Sequence, residues 1–119
     1  MTRKPILCLD FDGVLHSYTS KWQGAHIIPD DPVPGMQAFL EAAVQVFDVQ
    51  VYSTRSAHPG GIDAMAAWIG KYVPPEIADQ ISYPTTKPPA LVTLDDRAVR
   101  FEGVWPEIAY LRALKPWNK

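Results

Sequence analysis

Ile6-Leu7-Cys8-Leu9-Asp10-Phe11-Asp12-Gly13-Val14-Leu15 sets the terms for the whole chain. Four apolar residues follow Pro5 and run straight into two aspartates and a glycine. A continuous apolar run of this length reads as a strand buried on both faces, the usual state of a central strand in a parallel sheet. An open α/β sheet places its ligand at the carboxyl ends of such strands. Two carboxylates held there repel each other unless a cation or a proton relieves them. Asp10 and Asp12 are therefore candidates for chemistry with a divalent metal. The local alternative is a hairpin, because Asp-Gly between apolar runs is also a type I′ turn signal. In that reading Leu9-Asp10-Phe11 pairs with Val14-Leu15-His16, and the aspartates are only turn residues.

The flanking sequence favours the parallel sheet. Residues 16–32 form a long connection broken by Gly24, Pro29 and Pro32, with Tyr18, Trp22, Ile27 and Ile28 available for packing. A loop of this length in a small domain is usually functional or mobile, and it is a candidate flap. Val33, Met36, Leu40, Val44 and Phe47 share one helical face and predict a helix over 33–46, with Pro34 in its first turn. Val49-Gln50-Val51-Tyr52 is the second predicted strand, ending at Ser53-Thr54-Arg55-Ser56. A second amphipathic helix is expected over 62–72, stopped by Val73-Pro74-Pro75. Short strands are expected at 80–83 and, buried, at 90–94, the latter ending in Asp95-Asp96-Arg97. A fifth strand is expected at 99–101, then a helix from Pro106 to about Leu114. Strands alternating with helices argue for a parallel sheet with helices on both faces, and a whole helix separates the first two strands.

Composition sets the outer limits. The 119 residues suit one domain spanning 1–119, and 47% apolar with 20% charged residues is ordinary for a globular protein. The net charge of −2 does not point to nucleic acid. Cys8 is the only cysteine, so no internal disulfide can form, and a lone buried thiol fits a reducing cytoplasm. No stretch is long enough to span a membrane, and the apolar run after Arg3-Lys4 is too short for a signal peptide.

Three predicted strands thus end in polar groups: Asp10 and Asp12, then Ser53, then Asp95 and Asp96. Lys87 precedes the last pair on the proline-braced loop 84–89. If those strands are neighbours, the side chains converge on one crevice. A set of carboxylates without a histidine or cysteine cluster suits a hard cation, Mg²⁺ before Zn²⁺. Metal, lysine and hydroxyl together can neutralise a phosphoryl group in transfer, and a carboxylate can act as its nucleophile.

These residues resemble the motifs of the haloacid dehalogenase (HAD) superfamily of phosphohydrolases, in order along nearly the whole chain. Asp10-Phe11-Asp12-Gly13-Val14 is similar to the first motif and Val51-Tyr52-Ser53-Thr54-Arg55 to the second. Lys87 stands for the third, and Leu94-Asp95-Asp96-Arg97 for the fourth. The resemblance implies a Rossmann-like, doubly wound parallel sheet of order 3-2-1-4-5. It implies Asp10 as nucleophile and metal ligand, and Asp12 as general acid/base that also gives its backbone carbonyl to Mg²⁺. Ser53 and Lys87 would hold phosphoryl oxygens, and Asp95 and Asp96 would complete the metal site. Gly13, Thr54 and Arg55 are candidate substrate contacts; for Thr54 the alternative is sharing the role of Ser53, and for Arg55 it is closure of the crossover loop. No insertion leaves room for a cap domain, and capless relatives tend to act on large phosphorylated substrates.

The implied activity is a Mg²⁺-dependent phosphomonoester hydrolase working through an aspartyl phosphate. Its competitors are a polynucleotide end phosphatase, supported by Arg55, Arg97 and Arg100, and a non-catalytic binding protein on the same fold. A receiver-type signalling domain has its acidic residues in the wrong order along the strands. His16, His26 and His58 match no zinc spacing and read as packing or surface residues. Asp95 and Asp96 could be only a turn or cap, and Lys87 only a solvated loop residue.

Overall fold

A computed structural model describes residues 3–117. Its sheet is parallel, with three strands in the order β2-β1-β3: β1 is Ile6–Leu9, β2 is Asp48–Val51 and β3 is Val92–Leu94. The central β1 pairs Leu7 with Val49 and Val92, and Leu9 with Val51 and Leu94. Asp-Gly does turn the chain after β1, but no antiparallel hairpin strand follows. Instead the Phe11 carbonyl accepts from the backbone N–H groups of Val14, Leu15 and His16.

The helices are α1 (Met36–Val46), α2 (Gly61–Gly70), α3 (Pro75–Ala78) and α4 (Ile108–Ala113), with a 3-10 turn at Thr54–Ala57. Apolar spacing placed α1, α2 and α4 within a few residues. In a parallel sheet, residues in register share a face, so Leu7, Leu9, Val49 and Val51 point the same way. They join one core with Leu40 and Val44 of α1, Met65 and Ile69 of α2, and Ile77 of α3. Helix α3 packs on both α1 and α2, so these three helices form one layer. The opposite face carries Cys8, Gln50 and Thr93.

Three expectations need correction. The strand expected at 80–83 contracts to a single bridge, Ser82 to Gln50. The cause is α3: Gln80 and Ile81 are still engaged in its closing turns, donating to Ile77 and Ala78, which leaves Ser82 to reach β2. No strand forms at 99–101 among the described residues. The Asp95 carboxylate accepts from the Arg97 backbone N–H at 2.8 Å, and this Asx turn takes the chain out of the sheet. Consequently β3 is an edge strand with every residue exposed, where a buried strand was expected. The result is a small α/β protein with one open parallel sheet, and no helix of it is long and apolar enough to cross a membrane among the described residues.

Candidate functional site

The site lies at the carboxyl ends of β1 and β3. Parallel pairing brings both ends to the same edge, and the Asp10 backbone N–H extends the ladder to the Leu94 carbonyl at 3.0 Å. Asp10, Asp95 and Asp96 are thereby gathered, each with a carboxylate oxygen within 4.8 Å of the others. The Asp10 carboxylate also accepts from the Phe11 backbone N–H at 2.9 Å. Burial, opposed by that bond and reinforced by the charges of Asp95, Asp96 and Asp12, pushes the Asp10 carboxyl up to about 7. Burial and the neighbouring Asp95 also raise Asp96. Asp96 Oδ1 is buried and has no hydrogen-bond partner. Crowded carboxylates with an orphaned oxygen and raised affinity for protons are a site short of positive charge.

Gly13 makes the crowding geometrically allowed. Its φ of 85° is left-handed, and a Cβ built there would collide with the Asp96 carboxylate. The Gly13 carbonyl accepts from Trp117 Nε1 at 2.6 Å, which ties the far end of the chain to this turn.

Asp12 lines the same pocket but is not part of the Asp10–Asp95–Asp96 cluster. Its carboxylate takes Arg55 Nε at 3.0 and 3.2 Å, Arg55 Nη2 at 3.1 Å and His16 Nδ1 at 2.9 Å. His16 is fully buried, and its Nε2 accepts from the Asp30 backbone N–H at 3.1 Å. That bond leaves Nδ1 as the nitrogen carrying the proton toward Asp12. Arg55 is also fully buried. Its Nη1 donates to the carbonyls of Gly24, Ala25 and Ile27, and Trp22 lies 4.9 Å from its guanidinium carbon. One arginine therefore joins Asp12 to the 16–32 connection. Trp68 of α2 assists, donating Nε1 to the Asp30 carbonyl at 3.3 Å. The long loop is a roof pinned from below.

The 3-10 turn explains how Arg55 gets there. Ser53 caps it, Oγ accepting from the Arg55 backbone N–H at 3.0 Å while Ser56 Oγ accepts from the Ser53 backbone N–H at 3.1 Å. Gly61 follows because a Cβ there would run into the Arg55 carbonyl, so only glycine lets α2 begin against this turn.

A cavity of about 230 Å³ opens between these parts. Asp10, Asp12 and Asp96 form its acidic side, Ser53 and Thr54 face them, and Tyr18, Trp22 and Arg97 complete the wall. Lys87 is exposed and is not among these lining residues. The hydrogen bonds of the Arg55 side chain go to Asp12 and to the 16–32 connection. The roles of His16 and Trp68 were not read from sequence. Their partners are a carboxylate and backbone groups of a loop without periodicity, and no spacing rule encodes such contacts.

No family model, curated protein or solved structure matches this chain.

Proposed function

We propose that this chain is a Mg²⁺-dependent phosphohydrolase of the HAD type, acting on a phosphomonoester through an aspartyl phosphate on Asp10. The observation that carries the reading is the meeting of Asp10, Asp95 and Asp96 from two neighbouring parallel strands beside the Ser53 hydroxyl. The doubly wound core of that family is part of the same proposal.

The residues present suit the metal. The donor set is all oxygen, carboxylates converge, and the orphaned Asp96 Oδ1 lacks the partner a cation would be. Asp10, Asp95 and Asp96 would hold Mg²⁺ with the Asp12 backbone carbonyl, and the ion would supply charge to offset a phosphate dianion beside carboxylates.

In the first half-reaction an Asp10 oxygen attacks phosphorus, the bond to the leaving oxygen breaks, and that oxygen takes a proton from Asp12. In the second, water attacks phosphorus, its proton goes to Asp12, and the Asp10 carboxylate is released with inorganic phosphate. Arg55 and His16 fix the Asp12 carboxylate for both transfers. Ser53 Oγ and the Thr54 region receive phosphoryl oxygens, and Lys87 supplies countercharge from the 84–89 loop. Among the described residues the pocket is walled by Tyr18 and Trp22 of the 16–32 loop and by Arg97, with no cap domain over it, which suits a phosphate carried at the end of a larger molecule.

The test is phosphate release with and without Mg²⁺ from sugar phosphates, nucleotides, phosphopeptides and end-phosphorylated oligonucleotides. Metal-dependent release that disappears in Asp10→Asn is the expected result. Release only from oligonucleotides, weakened by salt, would make the enzyme a polynucleotide end phosphatase. No release from any class leaves a binding protein and ends the enzymatic reading.

A further inference from the structure

After Leu94 the chain departs at the Asp95 turn, runs out through α4, and returns to the Gly13 carbonyl through Trp117. It forms a handle fixed at both ends. Between the two limbs lies a cleft of about 1300 Å³, bordered by Val99 and Arg100 on one side and Tyr110, Leu111 and Leu114 on the other. No side chain of α4 is buried. Of the sixteen large apolar side chains exposed among the described residues, twelve fall within 91–117. Trp105 is 84% exposed and Ile108 78%. The radius of gyration is 15.0 Å, against roughly 13.5 Å for a compact chain of this length.

We propose that β3 and the 96–117 handle form the interface between two copies of this chain. Three observations select that occupant. The first is area: with aromatic side chains at roughly 150–250 Å² each, these exposed groups present on the order of 1,000 Å². A monomer rarely shows so large an apolar patch, and a stable dimer needs about 800 Å² per partner. The second is charge. Beyond Asp95, Asp96 and Arg97, which belong to the acidic site, the handle carries three basic side chains (Arg100, Arg112, Lys115) against two acidic ones (Glu102, Glu107). A nearly balanced face of both signs suits a copy of itself and gives little net attraction to a polyanion or an anionic membrane. The third is the sheet edge. β3 is exposed on both faces and offers unpaired backbone groups at its outer side, which a second copy can cover. A two-fold arrangement satisfies all three, since each copy supplies the same edge, handle and cleft. Anchorage at both ends keeps the handle from simply folding onto its own sheet.

Sedimentation velocity of the full chain between about 1 and about 100 µM tests this, because a dimer forms by mass action. The expected particle has twice the 13.3 kDa chain mass at the upper end. The double variant Ile108→Glu, Leu111→Glu should return it to the single-chain mass, weakening association by at least about 30-fold. Far-UV circular dichroism and the urea midpoint of that variant should match the parent monomer. A parent that stays monomeric across the range overturns the proposal, whether it is inert or floats with phosphatidylcholine vesicles. A double variant that remains dimeric overturns it as well. Neither residue lines the acidic pocket, so failure here leaves the phosphatase reading standing.

Discussion

Asp10→Asn should make the metal-free protein more stable near pH 8 while ending phosphate release. The Asp10 carboxyl ordinarily titrates near 3.8 and is pushed to about 7 by burial and by three neighbouring carboxylates. A raised carboxyl binds its proton more tightly in the folded chain than in the unfolded one. Stability therefore falls as pH rises from about 4 to about 7 and is level above that. At about 1.36 kcal/mol per pH unit the full effect is about 4 kcal/mol. Water at the open mouth of the pocket screens part of it, so roughly 1–3 kcal/mol is expected. The neutral amide removes that repulsion and can still accept from the Phe11 N–H. The assay is urea unfolding of parent and variant in chelator at pH 5 and pH 8. The variant's advantage should be largest at pH 8 and shrink toward pH 4. Adding Mg²⁺ should raise the parent's midpoint and leave the variant's nearly unchanged. A variant that is destabilised equally at both pH values would refute the picture of repelling carboxylates awaiting a cation.

Three further substitutions probe the parts around it. Arg55→Gln strands the Asp12 carboxylate and three roof carbonyls, and should cost about 3–5 kcal/mol in urea unfolding with a red-shifted Trp22 emission; a loss below about 1 kcal/mol would remove the arginine from its pinning role. Gly13→Ala forces a side chain into left-handed backbone and onto Asp96, costing about 1–3 kcal/mol and abolishing the Mg²⁺-induced thermal shift. An unchanged shift would show that the turn does not shape the metal site. Ser53→Ala loses a cap, at about 1 kcal/mol, and should slow phosphate release far more than that stability loss accounts for; a full rate would take the hydroxyl out of the chemistry.

The parts of this molecule written as periodic patterns could be read from the chain itself. Ile6–Leu9 followed by aspartate located the central strand, and the spacing of Met36, Leu40 and Val44 located α1. The meeting of Asp10 with Asp95 followed from topology, because parallel neighbours must end on the same side. What escaped is held by contacts rather than patterns. Arg55 reaches a carboxylate 43 residues away and carbonyls about 30 away, and nothing local announces such partners. The strand expected at 80–83 failed because Pro74-Pro75 starts a short helix whose turns consume the residues meant for pairing. The edge β3 reads as buried because Ala90, Leu91, Val92 and Leu94 are apolar, and apolar residues await cover whether it comes from the same chain or another.

The guanidinium of Arg55 serves two masters: the ceiling of the pocket and the carboxylate proposed to shuttle protons. Lifting residues 24–27 to admit a bulky molecule strips that guanidinium of its carbonyl partners and changes what Asp12 experiences. In the proposed reaction, admission and proton transfer are thus mechanically tied, and a variant that eases entry should also retime the chemistry.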